Sequence, residues 1–327
     1  MKQFILKLLS NNSFINAYFS GIGTIFMLHR VYPFEDGKLL PNENMKVSPL
    51  FLERFIIEFK SLGYEFISIN ELYEILKNNR NVKKQIVFTL DDGYKDNYVI
   101  AYPIFKKYNI PFTIYLSTSF PEKSAVLWWY VLEELIIKNH EIYLSNGNRY
   151  ICKTSQDKIK TFLQIRETIM SFPQPNIQEK MTILFSKYDI NWSKCCDELT
   201  LNWEEIQELS KDNLVTIAGH TKNHYMFKRL EENEIFLEIV EANNLIESKI
   251  NKKIEHFSYP FGTRDEIGIR EFEILKKMNF KTATTTRNGN IFLQHKEHLE
   301  ALPRIMLTEN LGLSDIGKIR KKRIIVL

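Results

Sequence analysis

The sequence predicts an α/β protein in which strands alternate with helices, as a parallel sheet or a barrel. Short apolar runs alternate with amphipathic segments along residues 24–116 and again along residues 201–307, which is typical of βαβ units. Two of these runs end in adjacent acids or in histidines, at the strand end where such folds gather ligands and catalytic groups. Between the two regions the alternation stops, which predicts an insertion.

The elements of the first region are predicted from their boundary residues. Ser48 and Pro49 begin a helix as its N-cap and first residue. Asn70 is predicted to cap the next helix, and Gly93 to turn the chain sharply after a buried strand. The predicted strands are residues 24–28, 66–69, 86–90 and 112–116, and the helices between them are 49–62, 71–76 and 98–108.

The second region repeats this pattern. Asn202 is predicted to cap a helix that runs to Leu209. The predicted strands are residues 214–219, 257–259, 282–286 and 302–307, with helices over 232–250 and 271–278.

Residues 120–200 are predicted to form a mostly helical subdomain inserted into a single domain that comprises residues 1–327. Asn146–Gly147 separates two short β-prone runs, which indicates a small hairpin. Trp128 and Trp129 lie on the first amphipathic helix of the insertion. Their rings either stack on a sugar or pack the insertion onto the rest of the fold.

The residues that carry chemistry follow two of the predicted strands. Asp91 and Asp92 end one buried run, and His220 and His224 follow another. Two histidines four residues apart fall on one face of a helical turn, so both rings can reach one ion. An Asp from another strand end supplies a third ligand, and catalytic zinc often has three protein ligands and an open position for water.

These segments, TLDDG at 89–93 and GHTKNH at 219–224, resemble the first two motifs of the polysaccharide deacetylases, TFDDG and HTxxH. This family is carbohydrate esterase family 4, which shares the NodB homology domain. HFSYPFG at 256–262 and LPRI at 302–305 fit its later motifs. In a circularly permuted branch of the family, whose members deacetylate poly-N-acetylglucosamine, the first strand carries a His. His29, at the end of the first predicted strand, resembles that His.

The resemblance implies a distorted, incomplete (β/α) barrel of about seven parallel strands with the insertion attached. It implies a metal-dependent hydrolase that removes N-acetyl groups from a sugar or polysaccharide in the biosynthesis or modification of surface polysaccharide. Two alternatives stay open, an O-acetyl esterase that uses the same site and a catalytically inactive sugar-binding relative.

The family motifs assign roles to residues of this chain. Asp92, His220 and His224 would bind a divalent ion, zinc in the first place, with cobalt or nickel as alternatives. Asp91 would be the general base, and the backbone N–H of Phe261 would help to hold the oxyanion.

The chain departs from the family pattern at two roles. The third motif usually has an Arg two residues before its Pro, where this chain has Ser258, so Arg304 is the candidate that orients the base. The usual acid for the leaving group is a late His, but His295 and His298 lie in a charged stretch that is predicted to be a solvated loop. His29 is therefore the predicted general acid.

Composition is that of an ordinary globular protein. The net charge of +4 is too small to indicate nucleic-acid binding. The basic run 318–323 is either a solvated tail or a contact with anionic lipid or polymer. The three cysteines, Cys152, Cys195 and Cys196, have no disulfide-framework spacing and favour a reducing compartment. Polar residues interrupt the uncharged stretch 8–28, so we expect an N-terminal amphipathic helix rather than a signal peptide, and a cytoplasmic protein.

Overall fold

The structure is a computed structural model that describes residues 21–309. The predicted N-terminal helix and the basic run 318–323 lie outside these residues. Within residues 21–309, no helix combines the length and the apolar character needed to cross a bilayer.

The strands are β1 (Gly23–Leu28), β2 (Arg30–Val31), β3 (Lys46–Val47), β4 (Glu65–Phe66), β5 (Gln85–Asp92), β6 (Phe112–Leu116), β7 (Glu141–Tyr143), β8 (Arg149–Ile151), β9 (Val215–Gly219), β10 (His256–Ser258), β11 (Thr282–Asn288) and β12 (Leu302–Met306).

Seven parallel strands close into a barrel, in the order β1, β5, β6, β9, β10, β11 and β12. The ring closes at β1, where Thr24 lies opposite Ile86 of β5 and Phe26 lies opposite Ile305 of β12. Strand β4 pairs with the first residues of β5, outside the ring. The predicted (β/α) barrel is therefore confirmed, and it is incomplete in having seven strands where a full barrel has about eight.

Helices cover the outside of the barrel and contribute the insertion. They are α1 (Leu40–Glu43), α2 (Pro49–Ser61), α3 (Ile69–Lys77), α4 (Tyr102–Lys107), α5 (Trp128–Lys138), α6 (Ser155–Met170), α7 (Ile177–Leu184), α8 (Cys196–Leu199), α9 (Trp203–Lys211), α10 (Glu232–Ile250) and α11 (Ile269–Lys277). Phe55 of α2 packs on Phe26 and Phe88 of the barrel wall, with ring centroids 5.2 and 5.9 Å apart. Such aromatic contacts bind the helical layer to the strands.

Side-chain caps begin several of the helices, two of them as the sequence predicts. Ser48 accepts a hydrogen bond from the N–H of Phe51, and Asn202 caps α9. The predicted cap at Asn70 is wrong. Helix α3 begins two residues earlier, at Ile69, because the hydroxyl of Ser68 accepts the hydrogen bond from the N–H of Glu71.

The segment between β6 and β9 contains helices α5 to α9 and an antiparallel hairpin, β7–β8, that turns at Asn146 and Gly147. Trp128, Phe162 and Trp192 belong to a separate apolar cluster inside this segment. The three cysteines are unpaired, as the sequence predicts. The division into one domain with an inserted subdomain over 120–200 stays a prediction.

Candidate active site

A cavity of about 300 Å³ opens at the carboxyl ends of the barrel strands, beneath the insertion. Six of the seven residues predicted from the sequence line it, and they are His29, Asp91, Asp92, His220, His224 and Phe261. The seventh, Arg304, is buried in the barrel interior and contacts Asp91. The structure thus brings all seven predicted residues together.

Asp92, His220 and His224 present ligand atoms that lie within 4.8 Å of one another. The Nε2 atoms of both histidines are 3.3 Å from Oδ1 of Asp92. This buried oxygen accepts no hydrogen bond from the residues that the structure describes. Burial opposes ionisation of Asp92, but the positive charge that the neighbouring histidine rings carry when protonated holds its pKa well below the usual value. One carboxylate and two imidazoles suit a divalent ion such as zinc.

A hydrogen bond fixes the tautomer of His220. Its Nδ1 lies 2.7 Å from the carbonyl oxygen of Ser258, which can only accept. Nδ1 therefore carries the proton, and Nε2 is left with a lone pair that faces Asp92. Burial lowers the pKa of His224 to about 4, so this ring is neutral near pH 7, which is the form in which an imidazole binds a metal.

The two histidines meet through a strained loop, and the predicted helical turn is wrong. The backbone φ angles of Thr221 and His224 are +68° and +56°, in the left-handed region that non-glycine residues seldom adopt. Glu238 of α10 holds this loop by accepting hydrogen bonds from the backbone N–H and the side chain of Asn223, at 2.8 and 2.6 Å. Asp92 and Phe261 also have positive φ, at 78° and 61°. Strain of this kind is typical of functional sites.

Arg304 forms a bidentate ion pair with Asp91, with both N···O distances at 2.7 Å. It also donates to the hydroxyls of Thr89 and Ser258, at 3.1 and 2.8 Å, and to the carbonyl of Thr285 at 3.0 Å. Thr89 and Asp91 are two residues apart on β5, so both point into the barrel. Burial raises the pKa of Asp91, but the charge of Arg304 outweighs it and holds that pKa below its usual value.

His29 follows β1 and turns toward the same cavity. Its Nδ1 is buried and has no hydrogen-bond partner in the described part of the chain. Burial lowers the pKa of His29, while the carboxylates of Asp92 and Asp91 oppose that shift. His295 and His298 are at the opposite end of the barrel, close to Ile291, which bridges to the first residue of β1. Only His29 of these three lines the cavity.

Phe261 occupies the turn that follows β10. The hydroxyl of Thr286 donates to its carbonyl oxygen at 2.6 Å, which fixes the peptide plane. Its ring packs on that of His224, with centroids 4.9 Å apart. Within residues 21–309 the N–H of Phe261 donates no hydrogen bond.

The structure places both tryptophans in the lining of the cavity. Trp128 is buried in the cluster of the insertion, and it also lines the cavity. The ring of Trp129 lies 6.3 Å from the ring of His224, so the insertion supplies an aromatic wall beside the cavity.

Sequence reasoning missed several supporting residues. Ser258 was noted only as a departure from the family motif, yet its hydroxyl contacts Arg304 and its carbonyl contacts His220. Thr89 lies two residues before Asp91, and its alternation with that acid could have indicated an inward side chain. No sequence signal marks Glu238, because its position in the middle of an amphipathic helix is ordinary.

The polysaccharide deacetylase family model matches residues 78–283. Because this range is more than half of the chain, the chain belongs to the polysaccharide deacetylase family, as the sequence predicts. A Bacillus subtilis protein with the provisional name polysaccharide deacetylase YxkH is 38% identical over 55 residues, which are 16% of this chain and 20% of that relative.

Solved deacetylase structures share the fold. The Streptococcus pyogenes deacetylase PplD in complex with acetate has a TM-score of 0.59 and 19% identity, and the match covers 91% of this chain and 98% of that one. IcaB from Ammonifex degensii has a TM-score of 0.57 and 16% identity, with 92% and 98% coverage. A de-N-acetylase from Aggregatibacter actinomycetemcomitans has a TM-score of 0.54 and 16% identity, also with 92% and 98% coverage.

Proposed function

We propose that this protein is a metal-dependent N-deacetylase that hydrolyses the linear amide bond of an N-acetylated sugar or polysaccharide. The observation that carries the proposal is one cavity in which Asp91, held by Arg304, lies beside Asp92, His220 and His224. We further propose that it acts in the cytoplasm in the biosynthesis or modification of surface polysaccharide. The membrane contact predicted for the basic run 318–323 also stays a proposal.

The three ligand residues would hold a divalent ion, with zinc as the first choice and cobalt or nickel as alternatives. The unsatisfied Oδ1 of Asp92 and the fixed tautomer of His220 support this fit. Such an ion polarises the substrate carbonyl and lowers the pKa of water.

Asp91 would accept a proton from the attacking water as the water oxygen bonds to the amide carbon. Its pKa, lowered by Arg304, keeps it ionised and ready to accept. The electron pair of the carbonyl would move to its oxygen, toward which the free N–H of Phe261 could donate. Arg304 itself would act by orienting Asp91.

His29 would then protonate the nitrogen as the C–N bond breaks. Its pKa is lowered by burial, so the donor form depends on the negative charge that Asp91 and Asp92 place nearby. A free Nδ1 in the cavity supports this role, because an amine leaves only after it gains a proton. An ester oxygen needs this proton less, and this difference favours the amide as substrate.

The test measures acetate release from N-acetylglucosamine oligomers and from an O-acetylated sugar. The protein is first treated with a chelator and then supplied with zinc, cobalt or nickel. We expect release from the amide only after a metal is added, and Asp91→Asn serves as the inactive control. Release from the ester alone would identify an O-acetyl esterase. Sugar binding without release from either substrate would identify an inactive relative.

A further inference from the structure

The wall of the active-site cavity contains an arginine whose charge has no counterpart among residues 21–309. Arg166 lies on α6 and lines the cavity. It forms no ion pair or hydrogen bond with any residue in the range 21–309. Arg30 and Arg304, by contrast, pair with Asp96 and Asp91 at 2.7 Å. A guanidinium that is partly withdrawn from water and unpaired is suited to an incoming anion.

Arg166 is carried on a rigid element. Phe162 and Leu163 of the same helix also line the cavity, and residues three and four positions apart share one helix face. Phe162 is buried in the cluster of the insertion, which anchors this face. The position of Arg166 is therefore set by packing that surrounds the site.

The acids that line the cavity have other partners. Asp91 is paired with Arg304, and Asp92 faces the two histidines. Glu266 accepts hydrogen bonds from the N–H and the hydroxyl of Thr263. A second cavity, of about 510 Å³, shares Arg166 and Glu266 with the first. Its three basic residues, Arg166, Lys228 and Arg229, balance its three acids, Glu167, Asp265 and Glu266. Arg166 is the basic residue of this set that also lines the first cavity.

We propose that Arg166 binds an anionic group, a phosphate or a carboxylate, on the sugar from which the acetyl group is removed. The inference rests on the proposed deacetylation. A cavity of about 300 Å³ is at the small end of ligand sites, so one ligand that reaches Asp91 also reaches Arg166. The anion is therefore on the same sugar or attached directly to it. Planar bidentate contacts explain why an arginine suits either group.

The test compares three substrates, the neutral methyl glycoside of N-acetylglucosamine, its 1-phosphate, and its 3-O-lactyl ether, which carries a carboxylate. Wild type should have the lowest KM for one of the two charged sugars. The charged sugar that it prefers shows whether Arg166 binds a phosphate or a carboxylate. Arg166→Ala should raise that KM about tenfold, with kcat and the neutral substrate little changed. Arg166→Lys should recover only part of the affinity. Lys160→Ala is the matched control, since this exposed lysine is on the same helix and away from the cavity.

Calorimetric titration of the charged sugars separates this inference from the proposed function. If wild type hydrolyses none of the substrates but binds a charged sugar, and Arg166→Ala loses that binding, the anion site stands and the deacetylation fails. Equal affinity for charged and neutral sugars in wild type would overturn the anion site. An equal loss of affinity for all three substrates in Arg166→Ala would also overturn the anion site, because that result indicates a structural role.

Discussion

Buried or half-buried histidines lie at both ends of the barrel, and they differ in what their ring nitrogens contact. His256, at the start of β10, has both nitrogens within hydrogen-bond distance of a partner, Thr282 at 2.8 Å and Asn70 at 3.0 Å. Among residues 21–309, Nδ1 of His29 at the carboxyl end has no partner, and His224 points its Nε2 at a carboxylate oxygen that accepts no hydrogen bond.

A lowered histidine pKa does not distinguish the two ends of the barrel. Burial lowers the pKa of His256 to about 3, and it lowers that of His224 to about 4. Buried polar groups with a structural role are normally satisfied. The unsatisfied Nδ1 of His29 and Oδ1 of Asp92 lie in one cavity, among residues with positive φ angles, and this combination marks the carboxyl end as the candidate site.

The largest expected difference between the ends is the effect of losing a histidine. His224→Ala should remove the bound metal and reduce kcat/KM by at least about a thousandfold, because metal ions contribute several kcal/mol to such reactions. His256→Ala should keep the metal and kcat but lower the free energy of unfolding by about 1–3 kcal/mol, since Thr282 and Asn70 lose their partner. Elemental analysis and urea unfolding measure both. Metal content that is unchanged in both His220→Ala and His224→Ala would refute the site.

The buried ion pair should give the next largest effect. Arg304→Met leaves the carboxylate of Asp91 buried without a counter-charge, which should cost about 3–5 kcal/mol of stability. When Asp91→Asn is added to Arg304→Met, the double variant should recover much of the lost stability, although it remains inactive. Arg30→Met is the matched control, because it breaks another buried Arg–Asp pair away from Asp91. Urea unfolding of all four proteins checks this, and a double variant no more stable than Arg304→Met would contradict the coupling.

Much of this contrast between the two ends could be predicted from local sequence. The remaining contacts depend on which residues of distant strands lie opposite each other. Asp91 and His220 each follow an apolar run, so strand ends and ligand types could be read directly. The contact between Arg304 and Asp91 joins β12 to β5 across 213 positions, and no local pattern specifies which residues of two distant strands lie opposite. The helical turn predicted for His220 and His224 failed because the left-handed backbone at Thr221 is stabilised by tertiary contacts, not by propensity.

His29→Ala should have an intermediate effect. Loss of a general acid should lower kcat on an N-acetylated sugar by about 100-fold, with metal content unchanged because His29 is not one of the three ligands. An activated acetate ester, whose leaving group needs less protonation, should be affected less. His295→Ala is the control at the other end of the barrel. If both substrates are hydrolysed at near wild-type rates, His29 is not the acid.

The smallest expected effect comes from Ser258, which contacts both halves of the site. Ser258→Ala removes the hydroxyl that accepts from Arg304 at 2.8 Å but keeps the carbonyl that accepts from His220. Arg304 retains both bonds to Asp91, so we expect a stability loss of about 1 kcal/mol, a few-fold lower kcat and unchanged metal affinity. Ser258→Arg, which restores the usual family residue, should instead fail to fold, because the buried space is already filled by Arg304. If Ser258→Ala also releases the metal, the hydroxyl supports His220 as well, and the two halves of the site are not separable at this residue.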